Sequence, residues 1–88
     1  MRVIIIGREF SDYNREVREW TREFKERTKI EVEELDPDSG EGEDFCRSRD
    51  IVEYPTLVIE DEARGTVLAE FRGTPLPQID EVMSYLLN

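Results

Sequence analysis

Few side chains in this 88-residue chain could do covalent chemistry: there is one cysteine, Cys46, and no histidine. Cys46 cannot close an internal disulfide, and the composition leaves no recognisable zinc site. It stands between Phe45 and Arg47. Arg47 and Arg49 would favour its thiolate, whereas Glu43 and Asp44 would oppose it. A lone cysteine beside a phenylalanine reads first as a small packing residue. Redox work through Cys46 would need a second thiol from another molecule. Ser11 is the other nucleophile to weigh. A hydroxyl is not acidic enough to be activated by a helix end alone, and the usual histidine base is missing. Ser11 therefore reads as a helix cap, worth about 1 kcal/mol. Asp36, Asp38 and Glu43 invite a calcium reading, but Asp-x-Asp-x-Gly lacks a third ligand and carries its glycine one residue early for an EF-hand. No metal and no cofactor are expected.

These residues must be positioned by a single small domain, residues 1–88, near the lower size limit for folding without disulfides or metals. The net charge is −10. Residues 1–29 hold eight basic and six acidic side chains, a balance of +2, so the remainder carries −12. Glu31 to Asp44 holds eight carboxylates and no cation. Such a field repels phosphate backbones and anionic lipid, so neither nucleic acid nor membrane is expected as a partner. The stretch reads as a solvated acidic loop that keeps the protein soluble. The apolar run Val3 to Ile6 is far too short for a signal-peptide core or a membrane span, and a cytoplasmic location is expected.

The apolar period sets the elements. Arg2 to Ile6 is a continuous β-branched run, as in a central strand covered on both faces, and Gly7 ends it. Ser11 or Asp12 is expected to cap a helix reaching Thr28, with Tyr13, Val17, Trp20 and Phe24 as its apolar stripe. Trp20 reads as core. The opposite face is charged, with Glu23 and Arg27 spaced as a surface pair. Ile30 and Val32 begin a second strand that closes near Leu35, and Asp36 to Gly40 forms a turn. Glu43 to Asp50 is expected to be a short helix. Thr56 to Glu60 is a strand, Asp61 to Gly65 a hairpin loop, and Val67, Ala69 and Phe71 alternate as one half-buried face of an antiparallel partner. Thr74 or a neighbour caps a last helix with Ile79, Val82, Met83 and Leu86 on one face.

The order β-α-β-α-β-β-α joins a parallel pair through a right-handed crossover to a hairpin and a terminal helix. Over nearly the whole chain, this order and the run Ile51 to Ile59 with Tyr54-Pro55-Thr56, followed by Phe71-Arg72-Gly73, resemble the thioredoxin/glutaredoxin-like superfamily. The resemblance implies an α/β, glutaredoxin-sized thioredoxin-like fold with a four-stranded mixed sheet flanked by helices. It also implies a cis peptide before Pro55, beside the tip of the first helix. Where that family carries Cys-x-x-Cys, this chain reads Ser11-Asp12-Tyr13-Asn14. Ser11 stands at the nucleophile position and Asn14 at the resolving position, so dithiol exchange has no thiols there. Tyr13 matches the aromatic residue of the glutaredoxin motif.

The glutathione clamp of glutaredoxins is only partly matched. Arg8 stands where a lysine is common, leaving an anion at Arg8 and the helix tip as one option. Glu53, however, would meet an anionic ligand with like charge, and Pro75 removes a backbone donor. Glutathione binding is expected to be weak or absent. The resemblance thus points to a redox-inactive module that binds a protein or peptide at the former active-site surface, through Ser11, Asp12, Tyr13, Asn14, Tyr54 and Pro55. The rivals are a monothiol oxidoreductase or redox sensor acting through Cys46, and a structural subunit associating through a sheet edge or the acidic segment.

Overall fold

The computed structural model describes residues 1–86 and has the order β1 (Arg2–Ile6), α1 (Asn14–Thr28), β2 (Val32–Leu35), α2 (Gly40–Arg49), β3 (Thr56–Asp61), β4 (Thr66–Arg72) and α3 (Ile79–Leu86). The four strands form one mixed sheet in the order β2-β1-β3-β4, with β1 parallel to β2 and antiparallel to β3, and β3 antiparallel to β4. β1 is central because Val3 to Ile6 are apolar without interruption and both faces are covered, leaving each of the four essentially inaccessible. The pleat divides that run between two cores. Val3 and Ile5 join Leu57 and Ile59 of β3 beneath α1 and α3, with Val17, Trp20, Phe24, Ile79 and Val82. Ile4 and Ile6 join Val58, Cys46 and Ile51 beneath α2.

The α1 stripe packs as its spacing requires. Trp20 stacks on Phe24 at 5.0 Å between ring centroids, and its indole N–H donates to Pro77 O at 2.7 Å. The start of α1 differs from expectation. It begins at Asn14, with Tyr13 at the N-cap and no side-chain cap bond. The Ser11 hydroxyl donates instead to Arg8 O at 2.7 Å, and the Asn14 N–H bonds Ser11 O, so residues 11–14 close a turn ahead of the helix. The expected Glu23–Arg27 pair is replaced by a tertiary one, because Arg27 reaches Asp80 of α3.

Two other boundaries moved, and one strand carries a bulge. α2 starts at Gly40 rather than Glu43, because Ser39 supplies an N-cap, its hydroxyl accepting the Gly42 N–H at 3.0 Å. α3 starts at Ile79 and is not capped by Thr74. Thr74 and Leu76 each precede a proline, which disfavours helical backbone at both. In β4, Leu68 enters as an extra residue between the Ile59–Ala69 and Glu60–Val67 partners, and this bulge leaves Val67 exposed instead of half-buried.

The acidic segment is not a loop. It supplies β2 and the start of α2, and cations from elsewhere meet it: Lys25 pairs with Glu31, Arg2 with Glu33, and Arg8 with Asp38. On the α2 face, Glu60 of β3 is 8% exposed and bridges Arg2 and Arg49, at 3.2 and 2.6 Å. The Arg49 guanidinium also lies over the Phe45 ring, 3.7 Å from its centroid. Arg72 donates to Asp50 O at 2.8 Å, tying the end of α2 to the β4 edge.

Candidate functional site

The sheet brings four connections to one end. In the register, Ile6 is level with Leu35 and Thr56, and Thr56 with Arg72, so the segments after β1, β2 and β4 and the one before β3 leave together. Gly7 N–H donates to Leu35 O at 3.1 Å and Gly73 N–H to Pro55 O at 2.8 Å, which fastens these segments to one another. Ser11, Asp12 and Tyr13 lie in the segment after β1, Asn14 begins α1, and Tyr54 and Pro55 lie in the segment before β3. Chain separation therefore does not prevent the six candidate residues from sharing one tip.

Contacts within the tip are specific. A methyl group on Gly7 would sit 3.0 Å from the Tyr13 ring and 3.7 Å from Pro55 Cβ, so both rings close on a bare backbone there. Tyr13 Oη accepts the Arg8 N–H at 2.9 Å. The Tyr54–Pro55 peptide is cis, as is Thr74–Pro75. Gly73 has φ +79, and the Glu53 carboxylate lies so close that an added Cβ would meet Oε2 at 2.4 Å.

Arg8 is not the free anion donor that its place beside the helix tip suggested. Its Nε and Nη2 donate to the Asp38 carboxylate at 2.8 and 3.1 Å, and its guanidinium stacks 4.9 Å from the Tyr54 ring centroid. The hydrogen bond from Arg8 holds the Asp38 carboxyl below its ordinary range. Burial pushes the Tyr54 phenol up, and neighbouring Cys46 adds to that. Asp38, Asp36 and Glu43 are used in local structure: Asp36 Oδ1 accepts the Asp38 N–H at 2.8 Å, and Glu43 pairs with Arg47.

Cys46 is buried in the second core, only 6% exposed, with Ile4, Ile6, Ile51 and Val58 around it. The flanking charges are committed elsewhere, Arg47 to Glu43 and Asp44 and Arg49 to Glu60. Sequence reasoning missed two features of the tip. Phe10 is 94% exposed and Val52 82%, the most exposed large apolar side chains among the described residues. Phe10 lies three residues before Tyr13, a spacing that would extend the buried stripe, but the turn at 11–14 swings it into solvent. Val52 follows buried Ile51 in an aperiodic segment and gives no sequence signal.

The fold has counterparts among solved structures. Thioredoxin 1 of Thermosipho africanus TCF52B superposes with a TM-score of 0.71 at 15% identity, covering 99% of this chain and 91% of that one. Thioredoxin O2 of Arabidopsis thaliana in its oxidised state gives 0.72 at 16% identity, covering 98% and 71%. A designed protein gives 0.72 at 25% identity, covering 99% and 76%. No protein-family model and no curated protein matches the sequence. The chain has the thioredoxin-like fold. No helix among the described residues is long and apolar enough to cross a membrane.

Proposed function

We propose that this thioredoxin-like domain is a redox-inactive binding module that captures an extended segment of a partner protein at the tip built from residues 10–14, 52–55 and 73. The observation that carries the reading is the pair of exposed apolar side chains, Phe10 on the connection after β1 and Val52 on the connection that carries Tyr54 and Pro55. A charged, acidic chain exposes such residues to water at a disadvantage, and contact with a partner would relieve it. Backbone pairing of an extended peptide alongside Tyr54 needs no thiol. Glutathione is not the expected ligand, since Asp38 already holds Arg8 and Glu53 adds a like charge. A cytoplasmic location is part of the proposal, as a chain with one thiol needs no oxidising compartment.

The test is partner capture by the parent chain and by a Phe10→Ser/Val52→Ser variant, combined with an amide shift map of the captured complex. Both substitutions lie in solvent, so folding should be unchanged while capture is lost. Shifts at residues 10–14 and 53–55 support the module; shifts confined elsewhere reject it. An insulin-reduction assay on the same sample decides the redox part, and Cys46-dependent turnover would overturn it.

A further inference from the structure

We infer that the segment captured at the tip is basic: an extended stretch of a partner protein with an apolar residue at its centre and lysine or arginine two residues to either side. This partner chemistry rests on the proposed function, whose site it shares. Phe10 and Val52 are 94% and 82% exposed, while no other large apolar side chain among the described residues exceeds 45%. The two connections that carry them are held together. The Arg8 guanidinium stacks on the Tyr54 ring, and a Cβ on Gly7 would lie 3.7 Å from Pro55 Cβ. Both apolar side chains are therefore presented by one braced surface rather than by two independent loops.

Charge selects the occupant. The cations around the tip are already matched, Arg8 by Asp38, Arg18 by Glu9 and Arg72 by Glu70. The carboxylates beside the two apolar side chains are not. Asp12 stands two residues after Phe10, Asp50 two before Val52, and Glu53 directly after it; all three are exposed, and none has an ion pair among the described residues. The Glu53 carboxylate lies against Gly73, whose N–H is bonded to Pro55 O, so its charge stands beside the Pro55 connection. Each exposed apolar side chain thus has an uncompensated negative charge next to it in the chain.

A second copy of this chain is disfavoured there. Each copy has a net charge of −10, and tip-to-tip pairing would set the same three carboxylates against each other. An acidic segment meets the same repulsion. A basic segment relieves both faults at once: its apolar residue covers Phe10 and Val52, and its cations answer Asp12, Asp50 and Glu53. Alternate side chains of an extended chain share one face, about 7 Å apart, so cations two residues from the apolar centre stand on the same side as it. Among the described residues neither the N–H nor the carbonyl of Tyr54 has a hydrogen-bond partner, which leaves both for the main chain of that segment. The carboxylates discriminate rather than supply most of the affinity, since an exposed ion pair changes binding only about two- to fivefold.

Three blocked heptapeptides are the probes: Thr-Lys-Val-Leu-Val-Lys-Thr and its analogues with glutamine or glutamate in place of both lysines. Each is titrated to millimolar concentration into the ¹⁵N-labelled full chain. The lysine peptide should shift the amides of residues 10–14, 52–54 and 73. The glutamine peptide should bind there about tenfold more weakly, and the glutamate peptide more weakly still. Raising the salt should narrow these differences. The variant Asp12→Asn/Asp50→Asn/Glu53→Gln should bring the three peptides within about threefold of one another while binding at the tip persists. Asparagine suits the left-handed backbone of Asp50, φ 54, so this variant should fold. Phe10→Ser/Val52→Ser should abolish binding of all three. Equal binding of the three peptides at the parent tip would overturn the basic preference and leave the proposed function standing. No shift at the tip with any peptide would reject the proposed function and this partner chemistry with it. Shifts from the lysine peptide confined to residues 31–44 would mean general attraction to the acidic segment and overturn it. Concentration-dependent shifts at Phe10 and Val52 in the chain alone would make a second copy the occupant, and overturn it too.

Discussion

Replacing Glu60 by glutamine should destabilise the protein by about 2 kcal/mol, because Glu60 is the one buried carboxylate among the described residues and holds two cations at once. At an effective dielectric of about 20, each cation at roughly 4 Å contributes about 4 kcal/mol of gross attraction. Much of that is offset by desolvation of a side chain that is 11% exposed. The two arginines then differ. Arg2 retains Glu33, bound through Nε and Nη2 at 2.7 and 2.8 Å. Arg49, 28% exposed, is left with carbonyl and hydroxyl acceptors only. Removing one partner of a fully buried pair costs about 3–5 kcal/mol. Partial exposure of Arg49 and the surviving Arg2–Glu33 pair bring the expectation down to about 2, or roughly 10 °C in Tm for a domain of this size. The assay is urea unfolding followed by fluorescence of the single tryptophan, Trp20, since guanidinium would screen the interaction being measured. A double-mutant cycle with Arg49→Met isolates the Glu60–Arg49 coupling, expected at about 1 kcal/mol or more. If Glu60→Gln lies within about 0.5 kcal/mol of the parent and the coupling vanishes, the bridge is not what holds α2 to the sheet and the reasoning fails.

Ser39→Ala removes the α2 cap and should lower stability by about 1 kcal/mol, read as a drop in the urea midpoint with unchanged slope. Gly42→Ala should be far worse than its small volume suggests. An added Cβ would lie 1.8 Å from Asp36 O, so α2 must move off the turn that caps it, and soluble yield and thermal midpoint should both fall. Acid should destabilise in a defined window. Arg2 holds Glu33 below its ordinary 4.5, and Arg8 holds Asp38 below its ordinary 3.8. Depressed carboxylates stabilise fully above those ordinary values and lose that contribution as pH falls through the lower folded-state values. The urea midpoint should therefore stay flat from neutrality to about pH 5 and fall below it, less steeply in Glu33→Gln; a decline already complete above pH 5 would contradict this.

Element order was legible because each segment has its own period. Val3 to Ile6 is unbroken, Val17-Trp20-Phe24 is helical, and Asp36-Pro37 and Arg64-Gly65 punctuate. Boundaries were less legible wherever a hydrogen bond chose between equivalent caps. Ser11 and Ser39 are both serines ahead of a helix, yet only Ser39 caps. Ser11 is drawn to Arg8 O by the turn that also seats Tyr13. Charge could be counted but not assigned. Arg8 read as an open cation because Asp38, thirty residues away, meets it only once β1 and β2 are paired.

By itself the sequence determined the order of the α and β elements, the places where the chain must turn, and the absence of a Cys-x-x-Cys motif. These follow from local properties: side-chain period, proline and glycine dihedrals, and residue identity. Only tertiary structure decided that Phe10 and Val52 face water at one tip, that Cys46 is buried, and that Glu60 bridges two arginines. Each depends on distances between residues far apart in the chain. Such distances are set by strand register and helix packing, which no single segment encodes.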